Sequence, residues 1–241
     1  MQQNWTQTLF VWDGILSLVE KDGGRAEEDV ATGDGDEIKW EGTWVGFDSV
    51  DATKVDAPKR GPFDEFVSSE HKFDVNGWAI KGDKEDIEAE EDNEVIGGKV
   101  SLLYQAKMIN GPGYDLRMGE GVTKHNDTVH DVYFSTLRWK GNLRDQVENV
   151  VFALGENEFG NFISVGWMRV GNRVTMARRY IDKDDDRRKW DIDDLRKAVF
   201  DQITSISKDG HMSIIIPPWQ CAAMHADPGQ ITKRQKTDLK N

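Results

Sequence analysis

The strongest constraint on this chain is a local formula that it uses three times. The copies are Phe10-Val-Trp12-Asp-Gly14-Ile-Leu16, Ile38-Lys-Trp40-Glu-Gly42-Thr-Trp44 and Leu137-Arg-Trp139-Lys-Gly141-Asn-Leu143. In each, an apolar residue stands two before the Trp, a charged residue follows it, then Gly, then an apolar residue four after the Trp. Large side chains at alternate positions lie on one face of a strand and are scattered around a helix. The chain therefore reads as an all-β body assembled from related pieces. The formula itself names no chemistry.

A second shared element points to an internal duplication. Gly77-Trp78-Ala-Ile-Lys-Gly82 is followed by Lys99-Val-Ser-Leu102, and Gly166-Trp167-Met-Arg-Val-Gly171 by Arg173-Val-Thr-Met176. Residues 38–109 and 137–181 read as two related β units, with 9–20 as a partial third. Gly171-Asn172, between two apolar runs, carries the signature of a two-residue hairpin with positive φ. In the first unit the same hairpin is split by residues 83–94, which hold eight acidic residues against Lys84. That segment contributes −7 to a formal net charge of −13. Like charges with nothing to bury favour a solvated loop, and the Gly-rich acidic run Asp22–Glu37 reads in the same way.

Further strands are expected at 129–139 and 149–154, and Asn110-Gly-Pro-Gly113 reads as a tight turn. One helix is expected over 191–206. Ile192, Leu195, Val199 and Ile203 form its apolar stripe, Asp191 is its N-cap, and Gly210 is available as a stop. A short strand, Met212–Ile216, then ends at two prolines. The fold class expected is mainly β, an antiparallel meander barrel or two-layer β structure from a duplicated unit, plus one C-terminal α-helix. Residues 1–226 form a single domain in this reading, and 227–241 a flexible polar tail.

Composition narrows the function classes. Apolar residues are only 37%, but nine Trp and ten Phe among 241 residues supply large buried area per side chain. The net negative charge opposes binding to nucleic acid or anionic lipid through the body. Cys221 is the only cysteine, which rules out an intrachain disulfide and a Cys-based zinc site. The N-terminus lacks a basic and apolar leader, so the expected location is intracellular, cytoplasmic rather than nuclear. The cluster Lys233-Arg-Gln-Lys236 is too short to argue for a nuclear address.

Several patterns bear on chemistry. Asp182-Lys-Asp184-Asp-Asp186 opens like a calcium loop, yet Arg187 stands where the loop needs Gly, and Arg188 and Lys189 add charge that repels a cation. His125 and His130 flank an expected turn with Asp127 and Asp131 nearby, which suits acid–base work; surface histidines in a polar turn are the simpler account. Cys221 and His225 are four apart, but a lone Cys more often fills apolar space. No P-loop, Gly-x-Gly-x-x-Gly or Gly-x-Ser-x-Gly is present, and no cofactor is expected. Trp12, Trp40 and Trp139 suit core positions. Trp78 and Trp167 each follow a Gly on a strand and are the aromatic candidates for a binding surface.

Gly42-Thr-Trp44-Val-Gly46 resembles the Gly-x-Trp signature on the first barrel strand of lipocalins and nitrobindin-like calycins. The resemblance implies a helix packed on the barrel after the last hairpins, for which 191–206 is placed. It also implies a basic residue near the barrel base, where Arg178 or Arg179 could stand, and a cup for a small apolar ligand.

Three functions remain open from the sequence. The first is a non-catalytic module that binds a protein with a basic surface. Its contact residues would be Asp83, Glu85, Glu88, Glu90, Glu91 and Asp92 of the acidic loop, with Trp78 and Trp167. The second is a lipocalin-like carrier of a small apolar ligand. The third is an enzyme using His125 or His130 with carboxylates in a barrel mouth.

Overall fold

Alternation of apolar and polar residues produces long antiparallel strands. The computed structural model describes residues 5–19, 36–48, 71–81, 98–118, 121–140, 145–206, 212–214 and 216–225. A 3-10 turn, Trp5–Gln7, leads into β1 (Thr8–Leu18), followed by β2 (Asp36–Asp48), β3 (Lys72–Lys81), β4 (Gly98–Met118) and β5 (Gly121–His125). Then come β6 (Val129–Lys140), β7 (Asp145–Asn157), β8 (Gly160–Arg169) and β9 (Arg173–Tyr180). Helix α1 (Ile192–Ile203) and two short strands, β10 (Thr204–Ile206) and β11 (Met212–Ile214), follow.

The sheet runs in the order β3-β2-β1-β9-β8-β7-β6-β4-β5, and β3 pairs with β4 as well. Eight strands thus form an uninterrupted ring of antiparallel ladders, β1 through β4 and β6 through β9, and β9 returns to β1. A closed ring satisfies the backbone groups that an open sheet would expose at its edges. The result is a barrel-like meander rather than two packed layers. β5 pairs with the far end of β4 alone, as an extension of the ring.

The repeated formula explains how the interior is filled. Trp12, Trp40, Trp44, Phe10, Phe73, Val75, Phe134 and Met176 belong to one buried cluster inside the ring. Trp12 and Trp44 are register partners with stacked rings 5.7 Å apart, and the Trp40 ring lies 4.5 Å from Phe73. In Trp-x-Gly the glycine falls on the same face as the Trp, and Gly14 pairs with Gly42. A Cβ on Gly14 would lie 2.7 Å from the Phe73 ring. Small residues beside very large ones keep the interior both full and unstrained.

A second cluster covers the outside of β7, β8 and β9. Leu195, Val199 and Ile203 of α1 are fully buried against Val150, Phe152, Ile163 and Val165. Each such side chain contributes roughly 1.5–3 kcal/mol of burial. The expected cap is present: Asp191 Oδ1 accepts from the Asp193 and Asp194 amides at 3.0 and 2.9 Å. Arg179 Nε donates to the Met224 carbonyl (2.7 Å) and Arg187 Nη1 to the Ala223 and His225 carbonyls (2.6 and 2.8 Å), strapping the C-terminal segment to the barrel. Among the described residues no helix is long and apolar enough to cross a membrane.

Several expectations are confirmed locally and others corrected. Gly171 and Asn172 have φ of 78° and 56°, the paired positive values expected at the β8–β9 hairpin. Asn110–Gly113 is not a chain reversal; it lies inside β4, which runs unbroken to Met118. Opposite it the β3–β4 register shifts twice, between Asp74 and Asn76 and between Asn76 and Trp78. Turn-type residues there absorb bulges, with Gly113 at φ 81°. Helix α1 stops at Ile203, short of 206, because Thr204–Ile206 pairs with Met212–Ile214. Gly42–Gly46 lies on the second strand, whereas the signature it resembles stands on a first barrel strand.

Candidate functional site

The two ends of the ring differ. At one end, β9 and the β6 entry carry polar residues inward. Arg178 and Asp127 are each 2% exposed in their side chains and form a two-pronged pair, Nη1 to Oδ1 at 3.0 Å and Nη2 to Oδ2 at 2.8 Å. The guanidinium lies 4.5 Å from the Trp12 ring centre and 3.7 Å from that of Phe162. Asn157 Nδ2 stands within 2.9 Å of the Asp127 carboxylate and of the Tyr114 and Tyr180 hydroxyls. A charge this deep is tolerated only with such partners. Burial alone would raise the Asp127 carboxyl, but Arg178 and His130 outweigh it and hold it far below the usual carboxylate range. Burial, with Tyr180 and Asp127 adjacent, pushes the Tyr114 phenol up. This end is a packed plug.

The histidines do not sit together as one polar surface turn. His130 is 1% exposed, its ring edge-on to Phe162. Its Nδ1 lies 3.2 Å from Asp127 Oδ2, off the line of a hydrogen bond, and Nε2 has no partner among the described residues. The expectation of a surface histidine is overturned here, because β6 turns its even-numbered residues into the barrel. Burial lowers the His130 pKa, and the neighbouring carboxylate offsets this only in part. His125 Nε2 is 2.8 Å from the Thr123 hydroxyl, and its Nδ1 contacts Glu158. Its ring is wedged between Tyr114 and Phe159, and with both nitrogens engaged it clips β5 to the β7–β8 turn.

The other end holds an apolar cavity of about 600 Å³. Leu16, Ile38, Ala79, Phe134, Val151 and Met168 form its walls, and Ser17, Asp36, Asn149 and Asn172 its rim. The six wall residues all belong to, or pack against, the interior cluster, so the cavity is the unfilled end of the barrel. Trp40 and Trp12 are buried further along the same interior face, and their Nε1 atoms have no hydrogen-bond partner among the described residues. Asp36 is the only ionisable residue of the lining among the described residues.

The aromatic candidates occupy the outer face. Gly77 and Gly166 are buried, and the next residues, Trp78 and Trp167, alternate to the outside, half-buried. Trp167 meets Trp219 of the C-terminal segment edge-on at 6.1 Å, within the outer cluster. Neither lines the cavity. Asp83, Glu85, Glu88, Glu90, Glu91 and Asp92 lie outside the described residues. Of the calcium-like run, Asp185 is engaged by Arg187, and no group of three or more metal-ligating side chains occurs among the described residues. Cys221 is fully buried, with its thiol pushed up to about 11 by burial.

Sequence reasoning missed the Asp127–Arg178 plug as a unit; the resemblance implied a cup for an apolar ligand but named none of the residues that wall the cavity. The one available signal was an arginine at an inward position of a strand otherwise filled by Val174, Met176 and Tyr180. Comparison with family models, with curated proteins and with solved structures finds no match for this chain.

Proposed function

We propose that this protein carries a small, largely apolar ligand in the open end of its barrel-like body, in the manner of the lipocalins and related calycins. The observation that carries the reading is the cavity of about 600 Å³ walled by Leu16, Ile38, Ala79, Phe134, Val151 and Met168. Its volume falls within the roughly 300–1,000 Å³ typical of small-molecule sites. The opposite end supports the same reading. Arg178, one of two residues offered by the resemblance for the barrel base, sits there against Trp12 of the first strand. The departure from those families is that the Gly-x-Trp segment stands on β2.

The test is native mass spectrometry of protein purified gently from its own source, followed by the same sample denatured. A small mass lost on denaturation is expected. Recombinant protein should show altered tryptophan emission with decanol, and Ala79→Phe or Met168→Phe, which fill the cavity, should abolish that response. An unchanged response in both variants would overturn the reading.

A second reading, a protein partner with a basic surface, is favoured by the −7 charge concentrated in residues 83–94. Deleting 83–94 should then weaken partner capture without altering thermal stability; unchanged capture counts against it.

A further inference from the structure

Two buried arginines grip the C-terminal segment, and one residue of that segment can add a third cation beside them. Pro218–Gln220 and Ala222–Met224 form two 3-10 turns that lie on β8, β9 and α1. Trp219, Cys221, Ala223 and Met224 are buried in the outer cluster. The backbone beside them is held by charge. Arg187 Nη1 donates to the Ala223 and His225 carbonyls, and Arg179 Nε to the Met224 carbonyl between them. Three consecutive carbonyls therefore depend on two guanidiniums, of which Arg187 is 5% and Arg179 1% exposed.

Charge around this grip is unbalanced. Asp185 accepts from Arg187 Nε at 3.0 Å and is the one carboxylate bonded to either arginine among the described residues. Arg179 has carbonyl partners alone, those of Met224 and Thr6. Burial, with the Arg187 charge adding to it, pulls the Arg179 pKa down to about 10. A buried cation held only by dipoles leaves little tolerance for further positive charge nearby. α1 supplies an uncharged contact, the Gln202 side-chain oxygen accepting from the Ala222 amide, and the Cys221 thiol stays neutral.

His225 ends the segment, half-buried. Its Nε2 donates to the Gln220 carbonyl at 3.2 Å, so the neutral ring folds the segment onto itself. Burial holds its pKa below the usual histidine value; the Gln220 carbonyl offsets this in part, and Arg179 and Arg187 lower it further. We propose that Pro217–His225 is an acid-released strap, in which a proton on His225 sets a third cation against Arg179 and Arg187 and frees the segment from β8, β9 and α1. Release bares Trp167, which packs on Trp219, and opens Cys221 to solvent.

Cys221, the only thiol of the chain, reports the release. The full chain is reacted with a maleimide between about pH 7.5 and 5, and each rate is divided by that of glutathione at the same pH. The ratio follows opening of the strap, because a buried thiol reacts only when the structure around it opens. It should rise at least about threefold on acidification, the limit being about tenfold per pH unit below 6.5. The circular dichroism of the strands should not change over that range. His225→Gln keeps a donor for the Gln220 carbonyl and should hold the ratio flat. Arg179→Gln loses a grip and a repelling charge together, so its ratio should start higher and rise less. His130→Gln alters the plug end and should keep the full rise.

A ratio that does not change with pH in the native chain, or a rise that His225→Gln keeps in full, would overturn the proposal. So would a rise that occurs only together with loss of the strand signal, since the whole barrel would then be opening.

Discussion

Removing one member of the Asp127–Arg178 pair should be far more costly than removing both. The two charges are each 2% exposed and 2.8 Å apart at their nearest atoms. With an effective dielectric constant of about 20, their attraction is about 6 kcal/mol, most of it offset by the desolvation of both ions. Arg178→Met leaves the Asp127 carboxylate buried with Asn157 and the half-turned His130 as its remaining company. The expected loss of unfolding free energy is about 3–5 kcal/mol, the usual range for an uncompensated buried charge. Asp127→Asn leaves the guanidinium between the Trp12 and Phe162 rings, which retain part of its stabilisation. Its loss should lie at the lower end of that range. The double variant Asp127→Asn/Arg178→Met should recover most of the loss. Urea denaturation followed by tryptophan emission measures all four species, and the cycle yields a coupling energy. Single-variant losses below about 1 kcal/mol, or a double variant equal to the sum of the singles, would refute the plug as a coupled buried pair.

Two further expectations follow from the same interior. Because burial holds the His130 pKa below 6.5 in the folded state, the unfolded chain binds the extra proton first. Stability from this residue is complete above pH 6.5 and declines as pH falls below it, with a limiting slope of about 1.4 kcal/mol per pH unit. His225 is also lowered, by burial and by Arg179 and Arg187, and adds to the same window. His130→Gln should flatten the decline of stability between pH 6.5 and 5 relative to the native chain, and an unchanged profile would show that His130 does not titrate with unfolding. At Gly166, a Cβ would fall 2.7 Å from the Met176 Cα. Gly166→Ala must therefore push β8 and β9 apart, and a loss of about 1–3 kcal/mol is expected in thermal or urea unfolding.

What the sequence revealed was whatever depends on neighbours along the chain. Period-two patterning marked the strands, the Gly171-Asn172 pair marked its hairpin, and Asp191 marked the start of the helix, because strand faces, positive φ and capping are fixed within a few residues. The resemblance offered Arg178 or Arg179 for a basic residue at the barrel base, and Arg178 lies inside the barrel against Trp12 of β1, while the Gly-x-Trp segment itself stands on β2. Asn110–Gly113 misled because residues suited to a turn are equally suited to a bulge, and only the strand opposite decides which forms.

Tertiary structure decided the rest, since it depends on register between segments far apart. The β3–β4 ladder closes the ring, and that closure turns alternating faces into an inside and an outside. It sends Trp78 and Trp167 outward, buries His130, brings Asp127 to Arg178 across fifty-one positions, and leaves one end of the barrel unfilled. No local pattern encodes a cavity, because a cavity is the volume left over when side chains from several distant strands meet.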